Sequence, residues 1–285
     1  MAIEFDKVLA GEIPVIESNW DEDAIILYHL GLGAGADWLN ARELSYTYEK
    51  NLQVLPTYAV IPPYKTAGAA LSLPGVNMTA KTQVLHGDHE ITIHKAIPTK
   101  ASVETRSKIV DIYKKKTGAL FALQNDTYLK GDDEPLFTNR WGLYIKGEEG
   151  RIDAPLGAGG SIPDREPDAV RESYLIPQIT HIYRLSGDKI PFHIDPEIAG
   201  KMGFETPITQ GLLTYGVVCK AVVDELLDYD GSRVRSMYAR FAKPVFPGET
   251  LVTRMWEEEK AVIAQTVSQE RGVVVLDNVR IDLAS

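Results

Sequence analysis

The order of apolar and turn residues along this chain predicts an α+β protein of two similar halves, each a long antiparallel sheet wrapped around one buried helix. Three observations carry this. A helix with a very wide apolar stripe stands in the second half, over residues 211–228. Runs rich in Val, Ile and Thr follow it, separated by turn residues. One Gly- and Pro-rich stretch cuts the chain near its middle.

In the helix, Leu212, Leu213, Val217, Ala221, Leu226 and Leu227 recur at helical spacing, and Val218, Val222 and Val223 widen the stripe. A stripe that wide implies burial on nearly all sides. Strands are expected at 237–242, 249–257, 261–270 and 273–283, broken at Pro247-Gly248 and Arg271-Gly272. The first half has the same order: a helix over 23–30, then strands at 79–85, 89–96, 102–115, 119–129 and 136–145. Residues 147–168 (GEEGRIDAPLGAGGSIPDREPD) read as an exposed connector between domains 1–146 and 169–285.

Composition excludes several function classes. The chain has 285 residues, long enough for a full core without staples. A net charge of −10 argues against nucleic acid, whose phosphates demand a basic face. The single cysteine, Cys219, forbids an internal disulfide and any Cys-based zinc cluster. No apolar run approaches the ~20 residues of a membrane span. The first twelve residues carry acids and no apolar core, so a soluble, cytoplasmic protein is expected.

Chemistry concentrates in YRLSGDKIPFHIDPEIAGKMGFETPITQGLLTYG, residues 183–216. Ser186-Gly187-Asp188 is turn chemistry, and Pro191 keeps Ile190 out of a helix. Asp195-Pro196 is a helix start and Gly203 a stop, giving a short helix over 197–202. Asp188 and His193 thus lie five residues apart in a constrained loop. A carboxylate and an imidazole facing one water suit addition or elimination of water beside a carbonyl. The bland alternative is a turn-capping Asp and a satisfied loop His. Downstream, Gly211 opens the long helix, whose first N–H groups suit a developing oxyanion. A glycine there is equally read as a small residue where helix meets sheet.

These residues carry a resemblance. Tyr183-Arg184-Leu185-Ser186-Gly187-Asp188, Pro191, His193, Asp195-Pro196, Ala199, Gly203-Phe204 and Pro207-Ile208 resemble the signature of MaoC-like, type-2 enoyl-CoA hydratases, which are double hot-dog proteins acting on (R)-3-hydroxyacyl-CoA. Leu30–Gly35, Glu43-Leu44-Ser45-Tyr46 and Val84-Leu85-His86-Gly87 are similar to the family's N-terminal half, and residues 244–251 to its C-terminal hairpin. The resemblance implies Asp188 and His193 as the acid/base pair, the Gly211 N–H in an oxyanion hole, and a degraded N-terminal helix that makes room for a bulky fatty-acyl or steroid side chain. It implies an acyl-CoA thioester as partner, CoA being part of the substrate, with no cofactor and no metal. A homodimer is a further expectation.

Two positions depart from the pattern. Ile190 stands where the family carries a hydrogen-bonding Asn, and Gln210 where it carries His. Two changes beside one site read as adaptation more than decay. The chain is thus read as a hydratase, with a weakened or non-catalytic acyl-CoA-binding partner and a thioesterase as rivals. Remaining features are weaker. His86, His89 and His94 invite a metal, but in a regular strand His86 and His94 share one face and His89 the other. His86-Gly87 is instead expected to line the substrate cleft. Leu32-Gly33-Ala34-Gly35 lacks the Lys-Ser/Thr of a phosphate loop and reads as a helix stop. Lys114-Lys115-Lys116 is a solvated hairpin tip. Arg240 and Lys243 are both placed to reach CoA phosphates, and spacing selects neither.

Overall fold

A computed structural model describes residues 3–77, 82–155 and 159–284. The first half contributes helix α1 (Phe5–Leu9), strand β1 (Ile16–Trp20), helices α2 (Glu22–Leu30), α3 (Leu44–Thr47) and α4 (Thr66–Leu71), and strands β2 (Val84–Ile93), β3 (Ala101–Lys115), β4 (Gly118–Leu129) and β5 (Phe137–Lys146). After the short β6 (Ile152–Asp153), the second half runs β7 (Ala169–Tyr174), α5 (Ile179–Tyr183), α6 (Pro196–Lys201), α7 (Gly211–Leu226), β8 (Val234–Phe241), β9 (Thr250–Glu258), β10 (Ala261–Ser268) and β11 (Val273–Leu283). The strands form one sheet in the order β1-β3-β4-β5-β2-β8-β11-β10-β9-β7, with β6 beside β3. Every pairing along that path is antiparallel. The halves meet edge to edge where β2 pairs β8, from Asp88 opposite Arg240 to Thr92 opposite Ser236. The expected double hot-dog architecture is therefore present.

Helix α7 is the organising element. Every residue from Leu212 to Asp224 is buried, as its all-round apolar composition requires. Gly216 is needed at its middle: a Cβ there would sit 2.6 Å from a methyl of Leu32, so the first half could not pack down. Lys220 and Asp224, buried in the same helix, are satisfied across the halves. The Lys220 ammonium lies 2.7 Å from Glu43 and 2.6 Å from Asp224, and the Tyr46 hydroxyl donates to Asp224 at 2.8 Å. Glu43 also accepts the Gly35 N–H at 2.9 Å, so the glycine turn does bind an anion, the protein's own.

Several expectations need correction. The two strands expected at 79–85 and 89–96 are one strand, β2, with residues 79–81 outside the described residues. The edge strands β1 and β7 carry no apolar alternation strong enough to read; in β7 no residue is buried. The first half does not copy the second: its longest helix, α2, has nine residues, capped by Asp21 accepting the Ala24 N–H. The connector is largely exposed but tied down. Arg151 binds Asp111 through two nitrogens, and the Arg165 carbonyl accepts the Trp256 indole N–H at 2.9 Å. Gly159 and Gly160 there allow close approach, since a Cβ would fall 2.8 Å from Asn278 and 2.3 Å from Ile263.

Candidate active site

The loop from α5 to α7 builds one end of a cavity. A 3-10 turn (Arg184–Ser186) ends at Gly187, whose φ of 146° is open to glycine and not to bulkier residues. Ile190 is extended before Pro191, and a second 3-10 turn, Pro191–His193, swings the imidazole back beneath Asp188. Asp195 then caps α6 by accepting the N–H groups of Glu197 and Ile198 at 2.9 and 3.2 Å. The sequence encodes this path residue by residue, and the result is a buried pair.

Asp188 and His193 are both about 5% exposed. His193 Nδ1 lies 2.8 Å from the Ile208 carbonyl, to which it can only donate, so in the neutral ring Nε2 is the acceptor. Nε2 lies 3.7 Å from Asp188 Oδ2, beyond a direct hydrogen bond but close enough for one water to reach both. Burial pushes the His193 pKa below the ordinary histidine value, and the Asp188 charge offsets part of that. The other carboxylate oxygen accepts the Ile190 N–H at 3.3 Å. The pair can therefore take a proton from water and return it.

Both groups line a cavity of about 700 Å³, as does Gly211. As first residue of α7, Gly211 has no intrahelical acceptor for its N–H. The walls are apolar and drawn from both halves: Ala67, Leu71, Val84, Leu85, Trp141 and Leu143 from the first, Leu212, Phe241 and Val275 from the second. Lys65, Lys189 and Lys243 also line it.

Not every expected site residue is there. Ile190, His86 and Lys243 line the cavity, whereas Gly87, Gln210 and Arg240 do not. Gln210 is wholly buried as the residue before α7, its amide donating to the Thr180 carbonyl at 3.3 Å. Arg240 pairs with Asp277 at 2.7 Å. Gly87 sits at a bulge between His86 and Asp88, where a Cβ would press on Leu120 at 3.0 Å. That bulge also overturns the face assignment of the histidines, because an extra residue reverses the alternation. His86 Nε2 and His89 Nδ1 lie 3.2 Å apart, His89 Nε2 lies 3.0 Å from Asn139 Oδ1, and His94 bonds Thr138 instead. Burial lowers the His86 pKa to about 3, so this chain of rings is neutral. No cluster suited to a metal occurs among the described residues. Tyr64, Trp141, Lys65 and Lys189 are cavity residues that pattern reading missed. Only Pro62-Pro63, fixing the chain ahead of Tyr64, could have drawn attention there.

With this geometry the comparisons with known proteins agree. Residues 159–279 match the MaoC like domain, and residues 18–147 match the MFE-2 hydratase 2 N-terminal domain. The chain belongs to the MaoC-like dehydratase family. Membership makes it a hydratase or dehydratase. It is 36% identical to "Enoyl-CoA hydratase ChsH3" of Mycobacterium tuberculosis over 99% of both chains. It is 34% identical to "Enoyl-CoA hydratase 2, peroxisomal" of Arabidopsis thaliana, covering 95% of this chain and 93% of that one. The solved MaoC-like dehydratase from Phytophthora capsici superposes with a TM-score of 0.87 at 30% identity, over 98% of each chain. Among the described residues no helix is long and apolar enough to cross a membrane.

Proposed function

We propose that this protein reversibly adds water to a trans-2-enoyl-CoA, giving the (R)-3-hydroxyacyl-CoA, with Asp188 and His193 as its acid/base pair. The observation that carries the reading is the 3.7 Å separation of His193 Nε2 and Asp188 Oδ2 at the wall of an apolar cavity, beside the start of α7. In the hydration direction, a water held by both groups gives a proton to the pair as its oxygen bonds to C3. Electron density moves to the thioester oxygen, which the Gly211 N–H stabilises. The proton held by the pair then passes to C2, and the site returns to its starting state. Adding water leaves the net oxidation level of the substrate unchanged, so the reaction calls for no redox cofactor. Lys65, Lys189 and Lys243 supply positive charge for the CoA phosphates, displacing Arg240 from that role. The apolar walls suit a bulky acyl chain, fatty or steroid. The sequence expectations of a cytoplasmic homodimer stand as part of the same proposal.

The test is hydration of crotonyl-CoA and longer enoyl-CoA esters, followed as loss of enone absorbance with free thiol measured in parallel. The proposal expects enone loss without thiol release. Thiol release would identify a thioesterase, and neither signal a binding partner without chemistry.

A further inference from the structure

Residues 59–66 lead into α4, part of the cavity wall in the first half, and two buried asparagines fasten them to the sheet. Asn125 of β4 and Asn139 of β5 stand opposite each other in register, and neither is exposed. Asn125 Oδ1 accepts two hydroxyls at 2.7 Å, from Thr66 at the start of α4 and from Ser107, its cross-strand partner in β3. The Thr66 hydroxyl also lies 2.7 Å from the Pro63 carbonyl. That carbonyl already takes the Thr66 N–H at 2.9 Å, so the hydroxyl hydrogen is free for Asn125. Asn139 donates through Nδ2 to the Ala59 carbonyl at 3.0 Å, in the 3-10 turn Pro56–Val60, while its Oδ1 takes the His89 Nε2–H at 3.0 Å. Both ends of the segment are thus held.

Core packing alone does not account for these side chains. Asn125 Nδ2 is buried with no partner, a cost that an apolar residue in the same place avoids. Helix α4 itself is six residues long and contains Gly68, so little within it fixes its position. Its Ala67, Gly68 and Leu71 nonetheless line the cavity. A Cβ built on Gly68 meets nothing within 4 Å, so the wall is open there. We propose that Asn125 and Asn139 are positioning residues for acyl-chain specificity, pinning residues 59–66 to the sheet and so setting how far α4 stands back from the acyl chain. The inference rests on the proposed hydration reading, with the acyl chain in this cavity.

The experiment measures kcat/KM for crotonyl-CoA and trans-2-dodecenoyl-CoA in the parent, Thr66→Val, Asn139→Leu, Thr66→Ser and Thr253→Val, each below its melting transition. Thr253, buried in β9 with its hydroxyl 3.0 Å from that of Thr266, does not line the cavity and is a matched loss of one hydroxyl contact. Thr66→Val and Asn139→Leu should each lower the long-to-short ratio of kcat/KM about tenfold, with crotonyl-CoA within about threefold of the parent. Amide hydrogen exchange should quicken over residues 59–71 in both, while α7 stays as protected as in the parent. Thr66→Ser, which keeps the hydroxyl, and Thr253→Val should retain the parental ratio. An unchanged ratio in either pin variant overturns the inference, as does an equal shift in Thr253→Val. Thr66→Val keeps the side-chain shape and decides alone if Asn139→Leu does not fold. A parent that hydrates neither ester sinks the hydration reading and this inference with it. Hydration of both esters by the parent, with the ratio unmoved in the pin variants, rejects this inference and leaves the hydration reading standing.

Discussion

The two halves share one sheet and one core but cover the sheet differently. In the second, α7 is a sixteen-residue helix buried from Leu212 to Asp224. In the first, the corresponding space is crossed by short pieces, α2, α3 and α4, with 3-10 turns at Ala41–Glu43 and Pro56–Val60. The sheet is continuous across β2 and β8, so the contrast lies in what covers it. Where a full helix fills the sheet, its first residue lines the same cavity as Asp188 and His193. Where the helix is broken, Ala67, Gly68 and Leu71 of α4 line a cavity that a long helix would fill. One half is built for placement and the other for room.

The largest expected effect comes from removing the chemistry of the filled half. Asp188→Asn and His193→Ala should each melt like the parent and lower hydration by about 10²–10⁴-fold, the usual contribution of a placed acid/base group. Because burial lowers the His193 pKa, the neutral ring persists to more acidic pH than for a free histidine. The rate should therefore fall on the acid side only below about pH 6.5, as His193 gains a proton. A limb at or above that value would show that another group controls the rate.

Next comes the clasp between the halves. Lys220→Met leaves buried Glu43 without its cation and Asp224 with only Arg171, 3.8 Å away. Loss of one partner from such a group costs about 3–5 kcal/mol, read as a lower urea midpoint. A midpoint unchanged from the parent would mean that the halves do not depend on this contact.

A smaller effect belongs to Ile190. Ile190 is 40% exposed at the cavity rim, so an introduced amide stays hydrated. Ile190→Asn should leave the melting temperature within about 2 °C, as rim substitutions do, and raise turnover on a linear enoyl-CoA by tenfold or less. Clear destabilisation would return Ile190 to a packed wall.

Much of this was legible in sequence because the second half obeys local rules. The apolar stripe of α7, the Asp195-Pro196 helix start and the Pro191 turn each act within a few residues. The first half was harder. Its central space is crossed by short helices, and short helices leave little periodicity. Gln210 and Arg240 were misplaced because their partners, the Thr180 carbonyl and Asp277, lie 30 and 37 residues away. The face of His89 turned on one bulge, which inserts a residue that composition does not announce.

The central claim, that the first half houses the acyl chain and the second performs the chemistry, is tested most directly by filling the room. Leu71→Phe adds volume to the α4 wall of the cavity. The comparison is kcat/KM for crotonyl-CoA against a long or branched enoyl-CoA, parent beside variant. Crotonyl-CoA should be hydrated within about twofold of the parental rate, while the bulky substrate loses about tenfold or more. Equal loss on both substrates, with the variant melting like the parent, would contradict the division of labour between the halves.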